Sequence, residues 1–506
     1  MVVGWADLSS LAAASPRLVP SRDASRCTAT GALRGSTPIN TVRHRRVTLT
    51  LRPYQLQAVE EIRQAYYQRH RSVLFVLPTG GGKTVLFSHI TRETAARGNR
   101  VCILVHRAEL LRQASASLEA LDVPHGLIAA NRSMDLSRPV QVASVQTLAR
   151  RLQRIPQDFF NLLVIDEAHH SNAGTWAKVL NHCRRARVLG VTATPVRGDN
   201  RGLGEWYSAM VLGPTPAELT AQGYLAPARV LAPPIGFDTK GLRKRMGDFD
   251  MTQAGQELQA GQAMGDCLSH YRRYLNGQTA IAFCCSVAHA EAVARLFNDH
   301  GVAAASIDGT MDAATREQLL SDLGAGRLKV LTSCALIGEG VDVPSVAGCI
   351  LLRPTQSVSL HLQMIGRCLR PQPGKQAVIL DHVGNVLRLG HHLEEREWTL
   401  EGTPKKDREA APSVKICPAC FAAMPSGKPK CPDCGHQFVA ERRELEHVDG
   451  ELVEVQRREA KREQASAQTL EQLIELGKRR GMKHPRGWAQ HVLASRQAKG
   501  QWRKVA

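Results

Sequence analysis

Short apolar runs recur along the chain, each closed by polar residues, glycine or proline. Ser72–Val76, Val101–Val105, Val140–Val145, Leu162–Ile165 and Val188–Val191 form one series. Residues 280–285, 303–308, 329–332, 347–352 and 377–381 form a second. Runs this short, apolar throughout and rich in Val and Ile, read as strands covered on both faces. Between them lie segments with helical spacing, such as Ala58, Ile62 and Tyr66, or His289, Ala292 and Leu296. Strands alternating with helices predict α/β domains with parallel sheets, and the two series predict two of them in tandem. No run approaches the roughly 18 apolar residues of a membrane span.

The boundaries follow from the gaps. Residues 1–46 are rich in Ala, Ser and Arg, carry only Asp7 and Asp23 as acids, and read as a disordered leader. A transit peptide has similar composition, and a start codon set too far upstream gives the same picture. The first α/β domain is expected over 47–212. A joining segment, 213–275, is punctuated by Gly213-Pro214-Thr215-Pro216 and Ala232-Pro233-Pro234 and holds the basic stretch Lys240–Phe249. The second domain is expected over 276–395. A cysteine-bearing segment follows over 396–440, and a charged helical linker with a basic tail over 441–506.

Composition adds partners and compartment. The chain has 506 residues and a formal net charge of +20. Such an excess favours a polyanion, because each neutralised phosphate releases counterions. Nine of the 13 cysteines are scattered, several inside apolar runs, which suits small core residues in a reducing compartment, the cytoplasm.

The first strand runs into Leu77-Pro78-Thr79-Gly80-Gly81-Gly82-Lys83-Thr84, and a helix pattern begins at once. Strand, glycine-rich turn, Lys-Thr and helix form the setting of a phosphate cradle. Glycines Gly80, Gly81 and Gly82 let successive N–H groups face one point, and the helix N-terminus adds positive potential. Lys83 can reach β- and γ-phosphates, and the Thr84 hydroxyl can ligate Mg²⁺. Thr79 opens the loop. Upstream, Gln55 in Leu51-Arg52-Pro53-Tyr54-Gln55 carries an amide able to read an adenine edge; a surface glutamine before a helix is the competing reading. The fourth strand ends in Asp166-Glu167-Ala168-His169. Adjacent carboxylates at a strand end suit a metal sphere at Asp166 and a water-orienting base at Glu167.

The second half has no such loop. It carries Gly338-Glu339-Gly340-Val341-Asp342 and Gln363-Met364-Ile365-Gly366-Arg367-Cys368-Leu369-Arg370. Arg367 and Arg370, three apart on a helix, lie on one face and suit a γ-phosphate across a cleft. Further on, Cys417, Cys420, Cys431 and Cys434 make a C-x₂-C-x₁₀-C-x₂-C set. Four thiolates paired in this way suit a closed tetrahedral Zn²⁺ site. Residues 476–506 hold nine Lys/Arg, no Asp/Glu, and Trp488 and Trp502, which suits strand binding by phosphate contact and base stacking; a disordered basic tail is the alternative.

Together these segments resemble a superfamily 2 helicase or translocase over residues 50–385. The glycine-rich loop resembles motif I, Asp166–His169 motif II, Thr192-Ala193-Thr194 motif III, Gly338–Asp342 motif V and Gln363–Arg370 motif VI. Leu77 departs from the small residue usual at its position. The resemblance implies two RecA-like domains that close on ATP and open after hydrolysis. It implies Lys83, Asp166, Glu167, Gln363, Arg367 and Arg370 as catalytic. Gln55, Thr79–Thr84, Asp166, Gly340 and Asp342 would hold the nucleotide. His106 and Arg107 (motif Ia) and Ser144, Gln146 and Thr147 (motif Ic) would touch the nucleic acid, with Ser286 and Thr332 from the second half. The Leu-Arg-Pro-Tyr-Gln start and the Asp-Glu-Ala-His form are most similar to the type III restriction and repair-helicase branch. The expected activity is ATP-dependent movement along, or unwinding of, DNA with a single-stranded region. RNA as substrate, and a zinc-ribbon recruitment factor with an ATPase switch, are the alternatives; ribbon and tail also offer surfaces for a protein partner. No nuclease cluster of carboxylates and lysine is evident.

Overall fold

The computed structural model describes residues 50–170, 174–197, 201–233, 237–239, 241–245, 248–260, 263–334, 346–402, 414–438 and most of 463–493. The chain divides into two compact units, residues 1–426 and 427–506. The leader, Gly340, Asp342 and Trp502 lie outside the described residues.

The first unit begins with α1 (Pro53–Tyr67), β1 (Ser72–Val76), α2 (Lys83–Ala96), β2 (Val101–Val105) and α3 (Ala108–Glu119). It continues with β3 (His125–Ile128), β4 (Val140–Ser144), α4 (Val145–Arg151), β5 (Leu162–Asp166), α5 (Gly174–His182), β6 (Arg187–Thr192) and β7 (Ala209–Leu212). These seven strands form one sheet in the order β3-β4-β2-β5-β6-β1-β7, and every pairing is parallel. The apolar runs are explained by this: Val73–Phe75, Val101–Val105 and Leu163–Ile165 are wholly inaccessible to solvent.

The chain passes through α6 (Pro216–Ala221), opened by a capping box in which Thr215 accepts from Glu218 N–H, to β8 (Ala228–Leu231). A small hairpin, β9 (Lys244–Arg245) and β10 (Asp248–Phe249), precedes α7 (Met251–Ala260) and α8 (Ala263–Tyr274). Then come β11 (Ala280–Phe283), α9 (Val287–Asp299), β12 (Ala304–Ile307), α10 (Ala313–Gly324), β13 (Val330–Ser333), β14 (Gly348–Leu351), α11 (Val358–Gly366), β15 (Ala377–Asp381) and α12 (Asn385–Leu389). The second sheet runs β12-β13-β11-β14-β15-β8, again all parallel. Its edge strand β8 comes from the segment read as a joining region: Ala228–Leu231 pairs with β15. Four residues flanked by prolines carry too little pattern to announce a strand, and its partners are distant in sequence: β15 along its length and Ala422 at Leu231.

After α12 the chain returns to the first sheet's side. Leu400 C=O accepts from Gly204 N–H at 2.7 Å, and Gly402 bridges Arg201. Gly202 has no room for a side chain there, since a Cβ would sit 2.0 Å from the Leu400 oxygen. Among the described residues no helix is long and apolar enough to cross a membrane. In the second unit, α13 (Leu470–Arg479) buries Leu473 and Leu476 and packs Gly477 against Pro485 and Trp488.

Candidate nucleotide cleft and cysteine cluster

Open parallel sheets bind ligands beyond the carboxyl ends of their strands. The loop after β1 lies at that end and holds two glycines in the left-handed region, Gly80 (φ +87°) and Gly82 (φ +89°). Gly82 is also the N-cap of α2, so Lys83 and Thr84 open the helix with unpartnered backbone N–H groups facing the loop. The loop is braced from α1. Tyr54 Oη donates to Gly81 O at 2.6 Å, and Gln55 Nε2 donates to Gly82 O at 3.1 Å. A Cβ on Gly82 would lie 2.7 Å from Gln55 Nε2, so the close approach requires glycine. Gln55 is therefore buried and holds the loop's backbone in this arrangement, rather than lying at the surface. Sequence reasoning misses Tyr54; a tyrosine in the first turn of a helix carries no signal of a contact 27 residues away.

At the end of β5, Asp166 and Glu167 are both buried, and Glu167 has φ +49°. That value is unusual for a residue with a side chain and marks strain at a functional turn. Glu167 N–H donates to Asp166 Oδ1 at 3.0 Å. His169, also buried, places Nδ1 3.4 Å from Glu167 Oε2 and 3.0 Å from Thr192 Oγ1. Its Nε2 lies 3.4 Å from Gln363 Nε2 of α11. With the Gln363 amide donating to Nε2, His169 carries its proton on Nδ1 and donates to Thr192 Oγ1. Thr192 in turn donates to Thr194 O at 2.9 Å. Thr194 Oγ1 then donates to Ser359 Oγ at 2.6 Å, again on α11. The carboxylate turn, the end of β6 and α11 are thus one hydrogen-bonded chain across two sheets.

The arginine segment also abuts the phosphate loop. A Cβ on Gly366 would lie 2.6 Å from Thr79 Cβ, so this contact too requires glycine. The expectation of two arginines on one helix face is corrected here: α11 ends at Gly366, Arg367 is its half-buried C-cap, and Arg370 lies beyond the helix, because the chain leaves the helical path at the contact with the phosphate loop. Burial lowers the Arg370 guanidinium from its ordinary value without discharging it. Lys83, Thr84 and Thr79 are half-buried, and Lys83 Nζ lies 3.4 Å from Leu77 O.

The expected strand contacts separate into two groups. His106, Arg107, Ser144 and Thr147 are half-buried and Gln146 is exposed, all just past β2 and β4. Gln146 Nε2 donates to His106 O at 3.3 Å and its Oε1 accepts from Ser144 Oγ, so the two loops touch. Arg316 of α10 bridges Glu109 of α3 at 2.8 Å on the same side. In the second sheet the picture differs. Ser286 caps α9 by accepting from His289 N–H. Thr332 is a correction: it is fully buried in β13, its hydroxyl donates to Ala290 O at 2.7 Å, and no ligand can reach it there. Strand pattern alone does not say which of its faces α9 covers.

The four clustered cysteines are built by two matching turns. Phe421 N–H donates to Cys417 O, and Gly435 N–H to Cys431 O. Cys417 N–H donates to Ala422 O, and Cys431 N–H to His436 O. Phe421 (φ +61°) and Gly435 (φ +77°) hold the equivalent left-handed positions. The first turn closes the hairpin β16 (Val414–Ile416) and β17 (Ala423–Pro425). The sulfurs of Cys417, Cys420, Cys431 and Cys434 all lie within 4.8 Å of one another, the one metal-ligating group found among the described residues.

The type III restriction enzyme res subunit model matches residues 48–197, and the helicase conserved C-terminal domain model matches 263–372. The chain is 32% identical over 388 residues to a 51.5 kDa protein of Lactococcus phage (isolate 7-9), covering 76% of this chain and 82% of that one. It is 30% identical to a Saccharomyces cerevisiae protein provisionally named ATP-dependent helicase IRC3, covering 66% of this chain and 51% of that one. It is 24% identical to the DNA 3'-5' translocase XPB2 of Sulfurisphaera tokodaii, over 66% and 82% respectively. A fragment structure assigned as the HsdR subunit of a Vibrio vulnificus YJ016 type I restriction enzyme superposes with a TM-score of 0.53 at 23% identity, covering 70% of this chain and 67% of that one. Two parallel-sheet domains, a braced phosphate loop meeting the helix that ends at Gly366, and these matches make the chain a member of the superfamily 2 helicases, in the restriction-enzyme-like branch, a family of ATP hydrolases.

Proposed function

We propose that this protein is a DNA translocase that couples ATP hydrolysis to movement along, or separation of, strands. The observation that carries the reading is the contact of Gly366 and Gln363 with Thr79 and His169, which brings the segment leading into Arg367 and Arg370 to the phosphate loop. In this reading the loop N–H groups and Lys83 bind the phosphates of ATP. Thr84 and Asp166 are the oxygen donors suited to Mg²⁺, which neutralises charge on the β- and γ-phosphates. Glu167, held by its strained turn, orients the attacking water. Arg367 and Arg370 stabilise charge as the γ-phosphate leaves. The chain from Gln363 through His169 to Thr192 and Thr194 reports loss of the γ-phosphate to the second domain. The loops holding His106, Arg107, Ser144, Gln146 and Thr147 grip the strand through its phosphates, so closing and opening becomes a step.

DNA is favoured because a relative of similar length is named a DNA translocase and the matching family model is that of a restriction enzyme. The four thiols fit structural Zn²⁺ by number, type and mutual distance. Metal analysis should find one zinc per chain, lost in Cys417→Ser/Cys431→Ser. The decisive test is hydrolysis by the full chain with no nucleic acid, single-stranded DNA, duplex DNA or single-stranded RNA, with Glu167→Gln as control. Stimulation by DNA, lost in the variant, is the expected result. Stimulation by RNA alone would overturn the substrate assignment and leave the ATP site standing.

A further inference from the structure

At the opposite ends of the first sheet's strands lies a hollow of about 470 Å³ that none of the motifs lines. It sits where β5 and β6 begin, at Leu162 and Arg187, whereas Asp166 ends β5. Four residue steps of about 3.3 Å, roughly 13 Å in all, separate the two ends of that strand. The hollow is therefore distinct from the nucleotide cleft. Its volume is in the range of small-ligand sites, about 300–1,000 Å³.

Its chemistry is uneven. The floor is apolar, with Ile62 and Leu162 buried. The rim carries Arg63, Arg97, Arg185 and Arg187 and one carboxylate, Glu93. That carboxylate is already shared: Arg63 and Arg97 both approach Glu93 Oε2, and His89 lies 3.2 Å from Oε1. Arg187 spreads over the Tyr66 ring, 5.1 Å from its centroid. Arg185 meets Asp158 at 3.8 Å, and both side chains are mostly exposed, which makes that pair weak. Arg63 also meets Glu60 at 3.5 Å, so the four guanidiniums face three carboxylates, Glu60, Glu93 and Asp158, and keep a formal excess of +1 beside the apolar residues.

We propose that this hollow binds a nucleotide unit, with its ring on the apolar floor and its phosphate on the arginine rim. Planar guanidiniums match phosphate oxygens two at a time, and they stack on rings. Asn161, whose Oδ1 accepts from Arg100 N–H, keeps its amide donors for a polar edge. The unit belongs either to a nucleic-acid strand passing the base of the first domain or to a free nucleotide, and the experiment has an arm for each. The site gives the first domain a second contact, remote from the motif loops.

The test compares the full chain with its Arg97→Ala/Arg185→Ala variant, two exposed positions whose loss leaves the core intact. In the first arm, binding of a fluorescein-labelled single-stranded oligonucleotide is followed through a salt series without ATP. A strand source predicts weaker binding in the variant and a salt slope smaller by about 1.4, two contacts at roughly 0.7 each. In the second arm, ATP bound per chain is counted by equilibrium dialysis. A free-nucleotide source predicts a second ATP per wild-type chain that the variant lacks. Equal salt slopes together with equal ATP counts would overturn the proposal. If DNA still stimulates hydrolysis in that event, only the hollow is lost and the translocase reading survives. An acidic peptide that binds in the hollow when neither nucleotide probe does would overturn it equally.

Discussion

The two motor domains share one architecture and divide one task unequally. Both are parallel sheets with the working loops at the carboxyl ends of central strands. The first places glycines, a lysine and two carboxylates there, groups that bind and polarise. The second places a helix whose last residue, Gly366, lies against Thr79 of the phosphate loop, with Arg367 directly after it. Their interiors differ as well. Buried histidines are concentrated in the second domain: His289, His361 and His391 are buried there and His382 is half-buried, and desolvation holds His361 and His382 down to about 3, and His289 and His391 to about 4. A site split between two bodies can be opened and closed; a site within one body cannot.

The largest effect that would sharpen this contrast is on stability in acid. These four histidines are neutral when folded and take up a proton near pH 6.5 when unfolded. The unfolded chain thus binds more protons below that pH, and stability falls as pH drops from about 6.5 towards 3–4. Each contributes about 1 kcal/mol over the first pH unit below 6.5 and up to about 1.4 kcal/mol per unit after it, so about 4 kcal/mol for four over the first unit. Hydrogen exchange at pH 5.5 should show β11 and β13 losing protection before β2 and β5. Simultaneous loss in both sheets would break the comparison.

Next in size is the arginine segment. Arg367→Ala should lower the hydrolysis rate by about 10³-fold or more, with ATP affinity changed little. A variant that loses affinity and keeps its rate would place Arg367 in binding instead. Gly366→Ala puts a methyl 2.6 Å from Thr79 Cβ and should hold the domains apart. About a hundredfold loss of rate is expected, in line with an ångström of misplacement. Isolated ATP binding, read by a fluorescent analogue, should survive. Smallest is Thr194→Val, which removes the Thr194–Ser359 hydrogen bond. About 1 kcal/mol of stability should go, and DNA stimulation should fall more than basal hydrolysis. Equal falls in both would mean that this hydroxyl only packs.

Much of this architecture is legible in the order of amino acids. The ten apolar runs correspond to strands because a strand covered on both faces needs apolar residues at every position. Lys83, Asp166 and Arg367 are legible because their chemistry permits few substitutes. Tyr54, the brace on Gly81, is not, because nothing about a tyrosine at that place distinguishes it from a core residue. The edge strand β8 is hidden by its length. Thr332 is misread because periodicity gives a strand two faces and does not say which helix covers each.

The sequence by itself determined the element order, the two-domain α/β class, the phosphate loop, the carboxylate turn and the four-thiol set. Each depends on short-range spacing or on residue chemistry that no distant contact can alter. The tertiary structure alone decided that Gln55 braces the loop, that His169 joins Gln363 to Thr192, and that Gly366 meets Thr79. It also decided that Arg63, Arg97 and the neighbouring pair Arg185 and Arg187, from three distant parts of the chain, share one hollow. Those contacts join residues up to 287 positions apart, as for Thr79 and Gly366. Their geometry is set by how whole sheets and helices pack, which no local pattern encodes.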